Sequence, residues 1–140
     1  MCPVYKKNGG AEINAAISGA LQDGSRTACV TGSFEIEQPI VLPSDFTLIL
    51  ENCHLRMADN TFCNMFTNAA RLSDHAHTIE GGDRNIVIEG HGRVVLDGGT
   101  YNGLSERNHS KDGRPHISAN NLLLFANVDG FRVTGLHVRN

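Results

Sequence analysis

Two glycine-rich stretches carry residue types that could do acid–base chemistry. Gly-His-Gly at 90–92 places an imidazole between two glycines, and Asp-Gly-Gly at 97–99 follows one short apolar run. Imidazoles and carboxylates are the usual proton donors and acceptors of active sites. Glycine is also the residue that adopts left-handed backbone at strand corners. We interpret His91 as the variable residue of a turn, and Asp97 as a turn residue whose carboxylate accepts backbone N–H groups. The alternative for Asp97 is an acid beside a sugar-stacking Tyr101.

A third candidate is the sequence Asp-His-Ala-His at 74–77, in which His75 and His77 would lie on one face of an extended chain. With Asp83 or His91 they could bind a transition metal. No further ligand stands at a recognisable spacing, so we predict a loop here, and no metal or cofactor.

The four cysteines have no CxxC spacing, which argues against zinc. We predict buried free thiols, with a disulfide between Cys53 and Cys63 left open as an alternative.

Composition limits the classes of protein. The chain has 140 residues, 40% of them hydrophobic and 19% charged, with a net charge of -3. These values are typical of one globular domain and exclude the basic field of a nucleic-acid-binding protein. No apolar run approaches the roughly 18 residues of a membrane span, so no membrane partner is expected. No signal peptide follows Met1, which predicts a cytoplasmic protein if Met1 is the true start.

The elements that must position any site are one helix and a series of short strands. Ile13, Ile17 and Leu21 form an apolar stripe that predicts a helix over 11–22, with Asn8 or Gly10 as its cap. Gly24 suits the C-terminal end of this helix.

Three later segments share one pattern of apolar residues two apart. The pairs are Phe46/Leu48, Ile86/Ile88 and Phe131/Val133, spaced by 40 and then 45 residues. Each pair is followed by a polar or glycine corner and a second alternating strand. This recurrence predicts a β-solenoid with insertions at 58–83 and 100–121. The predicted interior is Ile40, Leu42, Phe46, Leu48, Leu50, Ile86, Ile88, Val94, Leu96, Leu124, Phe131 and Val133.

Three stretches carry a family resemblance: ACVTGSFEIEQPIVLPSDFTLILENCHLRMA, RNIVIEGHGRVVLDGG and DGFRVTGLHVRN. In this order they resemble the start of polygalacturonase-like proteins, which are glycoside hydrolase family 28 members of the pectin-lyase-like superfamily. The resemblance implies an all-β fold, a right-handed parallel β-helix with a short N-terminal capping helix. It divides the chain into an N-terminal region with that helix at 1–26 and the first coils at 27–140.

The resemblance also implies inverting hydrolysis of a pectic or related polysaccharide by paired carboxylates. In the family, Gly-His-Gly follows Asn-Thr-Asp and Asp-Asp motifs. Neither motif precedes it here, so no catalytic role is carried onto any residue. We expect the chain to be the N-terminal part of a longer hydrolase, to need further C-terminal coils as its partner, and to show no hydrolysis alone.

The polar stretch 106–116 is the best candidate for contact with a polysaccharide or oligosaccharide. Its arginines could hold a uronate carboxylate, and its amide and imidazoles could bond sugar hydroxyls. The alternative is an exposed loop whose charges are merely solvated. The predicted substrate-binding residues are Arg107, Asn108, His109, Arg114 and His116.

Two other functions share the predicted fold. One is a non-catalytic carbohydrate-binding or tailspike-like scaffold. The other is a polysaccharide lyase, which would need calcium held by aspartates, and no such acidic cluster is visible in the sequence.

Overall fold

A computed structural model describes residues 4–61, 63–72, 79–100 and 121–140. One α-helix opens the chain and parallel strands follow it. Two short 3₁₀ turns, Ala69–Leu72 and Ile79–Gly81, interrupt the strands. The elements are α1 (Gly9–Gln22), β1 (Thr27–Ile36), β2 (Ile40–Leu42), β3 (Phe46–Met57), β4 (Phe66–Asn68), β5 (Asp83–His91), β6 (Val95–Asp97), β7 (Leu123–Leu124), β8 (Val128–Thr134) and β9 (His137–Arg139).

The helix confirms the predicted stripe, and its start is held by tertiary contacts. Ile13 and Ile17 are buried in the core. Asn8 takes the N-cap position with left-handed backbone, but its side chain makes no cap bond. Glu37 accepts the N–H groups of Gly10 and Ala11 instead, at 3.2 and 2.8 Å. A residue 26 positions away thus satisfies donors that helix ends leave open, which local sequence could not indicate.

The strands form two sheets. The larger sheet runs in the order β8-β5-β3-β6-β9, with β1 also paired to β3. The smaller sheet has the order β2-β4-β7. Every pairing is parallel. The first half of β3 pairs with β5 and its second half with β6, so that β3 is the hub of the larger sheet.

The recurrence of the three segments is confirmed by the strand register. Phe46 lies beside Ile86, and Ile86 lies beside Phe131. Leu48, Ile88 and Val133 form the next row in the same direction. The apolar pairs that recur in the sequence are therefore stacked neighbours in adjacent strands.

The predicted all-β solenoid is wrong. The fold is mixed: α1 contributes to the core, the larger sheet is a curled half-barrel, and the second sheet has only three short strands. The physical reason lies in pairing. Stacked apolar rows and corner glycines specify which strands are neighbours, but they do not specify that the sheet closes on itself.

The predicted core is confirmed at nine positions and wrong at three. Ile40, Leu42, Phe46, Leu48, Leu50, Ile86, Ile88, Val94 and Leu96 are buried. Leu124 and Val133 are only half-buried, and Phe131 is 59% exposed. These three residues lie on β7 and β8, which end the sheets among the described residues, so no further strand covers them.

Cys53 is buried, Cys63 is half-buried and Cys29 is exposed, and none of these three described cysteines forms a disulfide. Burial raises the pKa of the Cys53 thiol to about 12, with Cys29 as a second cause. No helix in the described part of the chain is long and apolar enough to cross a membrane.

We expect Leu48→Ala to lower the free energy of unfolding by about 3 kcal/mol, because it leaves a cavity at a fully buried site of β3. Urea denaturation at pH 7 measures the change. Ile49→Ala is the matched control, since Ile49 is the half-buried neighbour on the opposite face. Equal losses for the two variants would contradict the assignment of the core face.

Candidate functional site

A polar cluster lies on the outward face of the larger sheet, along β3, β6 and β9. Leu55 and Leu96 point into the core. Because side chains alternate along a strand, the residues on either side of them face outward. The register then stacks Arg56 beside Asp97, and Asp97 beside Arg139.

The stack continues on β1 and forms a ladder of alternating charge. Glu35 lies beside Arg56 in register, and Lys7 donates to Glu35 at 2.8 Å. The signs therefore alternate from Lys7 through Glu35, Arg56 and Asp97 to Arg139. Opposite charges in adjacent positions stabilise neighbouring strands, whereas like charges would oppose the pairing.

Asp97 is the buried centre of this cluster. One carboxylate oxygen accepts the N–H of Gly99 at 2.8 Å and the amide of Asn140 at 3.0 Å. The other oxygen accepts Arg139 Nε at 2.8 Å. Burial alone would raise the pKa of Asp97, but the bonds from Asn140, Gly99 and Arg139, with the charge of Arg139, outweigh it and lower the pKa. Asp97 is thus ionised and fully engaged, and it holds Arg139 in place.

His54 stands beside this pair as a neutral imidazole. Burial is the main cause that lowers the pKa of His54, and the charge of Arg139 is the next. The carboxylate of Asp97 lies 3.9 Å from His54 Nε2, a spacing that fits an ion pair only if His54 is protonated. We assign no ion pair, because the lowered pKa keeps the ring neutral at pH 7. Arg139 Nη2 lies 3.4 Å from Nε2, and since arginine can only donate, Nε2 is the acceptor.

Tyr5 and Arg56 complete the wall of the cluster. The Tyr5 hydroxyl lies 3.1 Å from His54 Nε2, and the two rings meet edge to face with centroids 5.0 Å apart. The Arg56 guanidinium lies 5.8 Å from the Tyr5 ring centroid and donates to the hydroxyl of Thr100. Tyr5 therefore contacts both a neutral imidazole and a cation.

An open groove adjoins the cluster, with a volume of about 630 Å³. Arg93, His137 and Arg139 line it with polar groups, and Val95 and Leu136 supply apolar walls. The charge of Arg93 is a further cause that lowers the pKa of His54, so Arg93 influences the same cluster from the groove. Two arginines, Arg93 and Arg139, thus line one groove in a chain whose net charge is -3. This arrangement can hold an anion.

The structure describes only some of the site residues that were predicted from the sequence. Arg107, Asn108, His109, Arg114 and His116 lie outside the described residues, as do His75 and His77. His91 ends β5 as an exposed side chain, with Nε2 3.5 Å from a Glu89 carboxylate oxygen. Gly92 has φ +69, and a Cβ at this position would collide with the Asn52 side chain, which confirms its role at a corner. Asp97 is the last residue of β6, and its carboxylate accepts the backbone N–H of Gly99, which confirms the predicted bond to the turn that follows.

Sequence reasoning missed Tyr5, His54, Arg56, Arg93 and Arg139 as members of one site. A signal was present, because His-Leu-Arg at 54–56 and His-Val-Arg at 137–139 are nearly the same tripeptide. These tripeptides stand in register on either side of β6. No sequence signal brings Tyr5, from before α1, to His54.

No group of three or more His, Cys, Asp or Glu residues within the described ranges could hold a metal ion.

We expect Asp97→Asn to lower stability at pH 7 and to remove part of its pH dependence. Because the pKa of Asp97 is lower in the folded state, its contribution is present above about pH 4 and is lost as pH falls through the folded-state pKa. Urea midpoints of both proteins from pH 7 to pH 2.5 measure this. The difference between them should shrink toward acid pH, and a constant difference would contradict the role given to the carboxylate.

We expect Arg139→Gln to raise the pKa of His54, because it removes a repulsive cation and releases the Asp97 carboxylate. Titration of the His54 ring by NMR measures the pKa. Arg132→Gln is the control, since this substitution removes the same charge from β8. Arg132 is not among the causes of the lowered His54 pKa. An unchanged or lower pKa in Arg139→Gln would show that the Arg139 charge does not govern this ring.

Comparison of the chain with family models, with curated proteins and with solved structures gives no significant match.

Proposed function

We propose that this protein binds an acidic polysaccharide of the pectic type, with a uronate carboxylate held in the groove beside β9. The observation that carries the proposal is the placement of Arg93, His137 and Arg139 around that groove. Arginine presents a planar fork of donors that matches a carboxylate. The apolar walls from Val95 and Leu136 suit the less polar face of a sugar ring.

Two features of the site favour Arg93 as the main anion contact. Its side chain forms no ion pair with any described residue, whereas Arg139 is bound to Asp97. Its backbone N–H is fixed by the Asn52 side chain at 3.1 Å, so the start of the side chain is positioned by the corner. Arg139 adds a second cation that Asp97 orients.

The resemblance to polygalacturonase-like proteins extends the proposal to a glycoside hydrolase. Inverting hydrolysis needs two carboxyl groups about 6.5–9.5 Å apart, with one of them free to deliver a proton. Asp97 is the buried carboxylate of the cluster, and both its oxygens are engaged. Glu35, the other carboxylate of the charge ladder, accepts hydrogen bonds from Lys7 on both its oxygens. We therefore assign binding, and no catalytic step, to the described residues.

The engagement of Asp97 also favours a second candidate, a non-catalytic carbohydrate-binding protein. Both candidate functions bind the polysaccharide in the groove, but only the hydrolase cleaves it. A reducing-end assay on polygalacturonate separates them, because only the hydrolase releases new chain ends.

We expect Arg93→Gln to weaken binding of trigalacturonate by about tenfold, because it removes a charge-assisted contact to the carboxylate. Isothermal titration calorimetry at pH 7 and low salt measures Kd. Arg132→Gln controls for loss of one positive charge outside the groove, and methyl-esterified trigalacturonate controls for the ligand charge.

The proposal requires that Arg132→Gln bind as the unaltered chain does and that the methyl ester bind weakly. Equal affinity for acid and ester, or no binding of trigalacturonate, would overturn it.

A further inference from the structure

One oxygen of the Asp97 carboxylate, Oδ2, has two neighbours that can compete for it. Arg139 Nε donates to this oxygen at 2.8 Å, and His54 Nε2 lies 3.9 Å from it. The other oxygen, Oδ1, accepts the N–H of Gly99 and the amide of Asn140. The carboxylate therefore cannot turn to offer a separate oxygen to each neighbour without losing both of those bonds.

Arg139 contacts both other members of this group. While Nε donates to Asp97, Nη2 lies 3.4 Å from His54 Nε2, which can accept only while the ring is neutral. A proton on Nε2 removes that acceptor and places two cations against each other. The same proton gives the ring an N–H that can donate to Oδ2. One protonation thus weakens both contacts of Arg139.

Side-chain exposure indicates which group would move. The Asp97 side chain is 6% exposed and the His54 side chain 18%, whereas that of Arg139 is 46% exposed. Arg139 also lines the groove beside β9 together with Arg93 and His137. A guanidinium that leaves Asp97 therefore stays within the same site and gains the freedom to contact an anion in the groove.

Every element packed against His54 contributes a group to its surroundings. The neutral side chains in contact or in register with the ring are those of Tyr5, Ser33 and Val95. The charged groups that act on it are Arg56 of β3, Arg93 before β6, Asp97 of β6 and Arg139 of β9. One register step further lie Glu35, beside Arg56, and His137, beside Val95.

These surroundings set the pH range of the protonation. Burial is the main cause that lowers the pKa of His54 from its ordinary value of 6.5, and the arginine charges act in the same direction against Asp97. Asp97 remains ionised in mildly acidic solution, because its own pKa is lowered by its hydrogen bonds and by Arg139. The ring therefore takes up its proton below pH 6.5 while the carboxylate is still charged.

We propose that protonation of His54 draws the Asp97 oxygen from Arg139 to the imidazolium and releases the Arg139 guanidinium into the groove beside β9. The proton comes from solvent onto Nε2, and no other covalent bond changes. The released guanidinium and the new charge on the ring both favour an anion in the groove. If the anion is the uronate of the proposed function, on which this part rests, it binds more tightly in mildly acidic solution.

The exchange itself is tested without a ligand, by NMR of the unaltered chain from pH 7.5 to pH 5. The ring C–H signals of His54 report its titration, and the Nε–H signal of Arg139 reports its bond to Asp97. We expect the Arg139 signal to move toward that of the exposed Arg132, with the same midpoint as the His54 ring. His54→Gln should abolish this movement, because glutamine takes up no proton. His91→Gln, which removes an exposed histidine of β5, should leave it unchanged.

Binding of trigalacturonate is then measured by calorimetry at pH 7.5 and pH 5, where the ligand stays ionised because ordinary carboxyl groups titrate near about pH 4. Both proteins in this comparison carry His137→Gln, because His137 is the other imidazole of the groove. We expect His137→Gln alone to bind about tenfold more tightly at pH 5, the effect of one added charge-assisted contact. Adding His54→Gln should remove most of this gain. Urea midpoints at pH 7.5 show whether both variants are folded.

The outcomes separate the exchange from the proposed function. An Arg139 signal that stays fixed while His54 titrates would overturn the exchange. Equal strengthening of binding with and without His54→Gln would overturn its role in binding, because another group would then supply the pH dependence. No binding at either pH, together with an Arg139 signal that follows His54, would instead overturn the proposed function and support the exchange.

Discussion

The kink in β3 at Asn52 is the constraint on which the rest of the structure depends. Asn52 has left-handed backbone with φ 45, and the register between β1 and β3 shifts opposite this residue. The shift divides β3 into a half that pairs with β5 and a half that pairs with β6. The Asn52 side chain then accepts the N–H of Arg93 at the corner between β5 and β6. One residue thus bends its own strand and fixes the next corner.

The same constraint builds the charged face. Because the second half of β3 continues in strict alternation, Leu55 stays in the core while His54 and Arg56 face outward. Parallel register repeats the arrangement on β6 and β9, so residues more than 80 positions apart meet. Asp97 separates two arginines that would otherwise repel each other, and its hydrogen bonds offset the cost of burying its charge. The adjoining groove has an excess of positive charge, because Arg93 and Arg139 line it.

Buried asparagines perform a related task in the smaller sheet. Asn68 is fully buried on β4, where its amide accepts the N–H of Ala126 and donates to the Ala126 carbonyl and to Asp83. Asn64 accepts the N–H of Asn121 in the same way. An amide supplies both donors and acceptors, so it can satisfy backbone groups at a corner from which water is excluded. Asn64 and Asn68 thus place polar side chains inside the fold at the two ends of β4.

The sequence by itself determined which residues recur, which face of each strand is apolar, and where the corners fall. These features follow from the period of two along a strand and from the backbone preferences of Gly, Asn and Asp, which are local properties. Only the tertiary structure decided that the sheet is curled rather than closed, that Glu37 caps α1, and that Tyr5 reaches His54. It also decided that Phe131 lies at an edge, although its sequence pattern matches that of buried Phe46. Burial depends on the number of strands that pack beside a residue, and that number is a property of the assembled sheet.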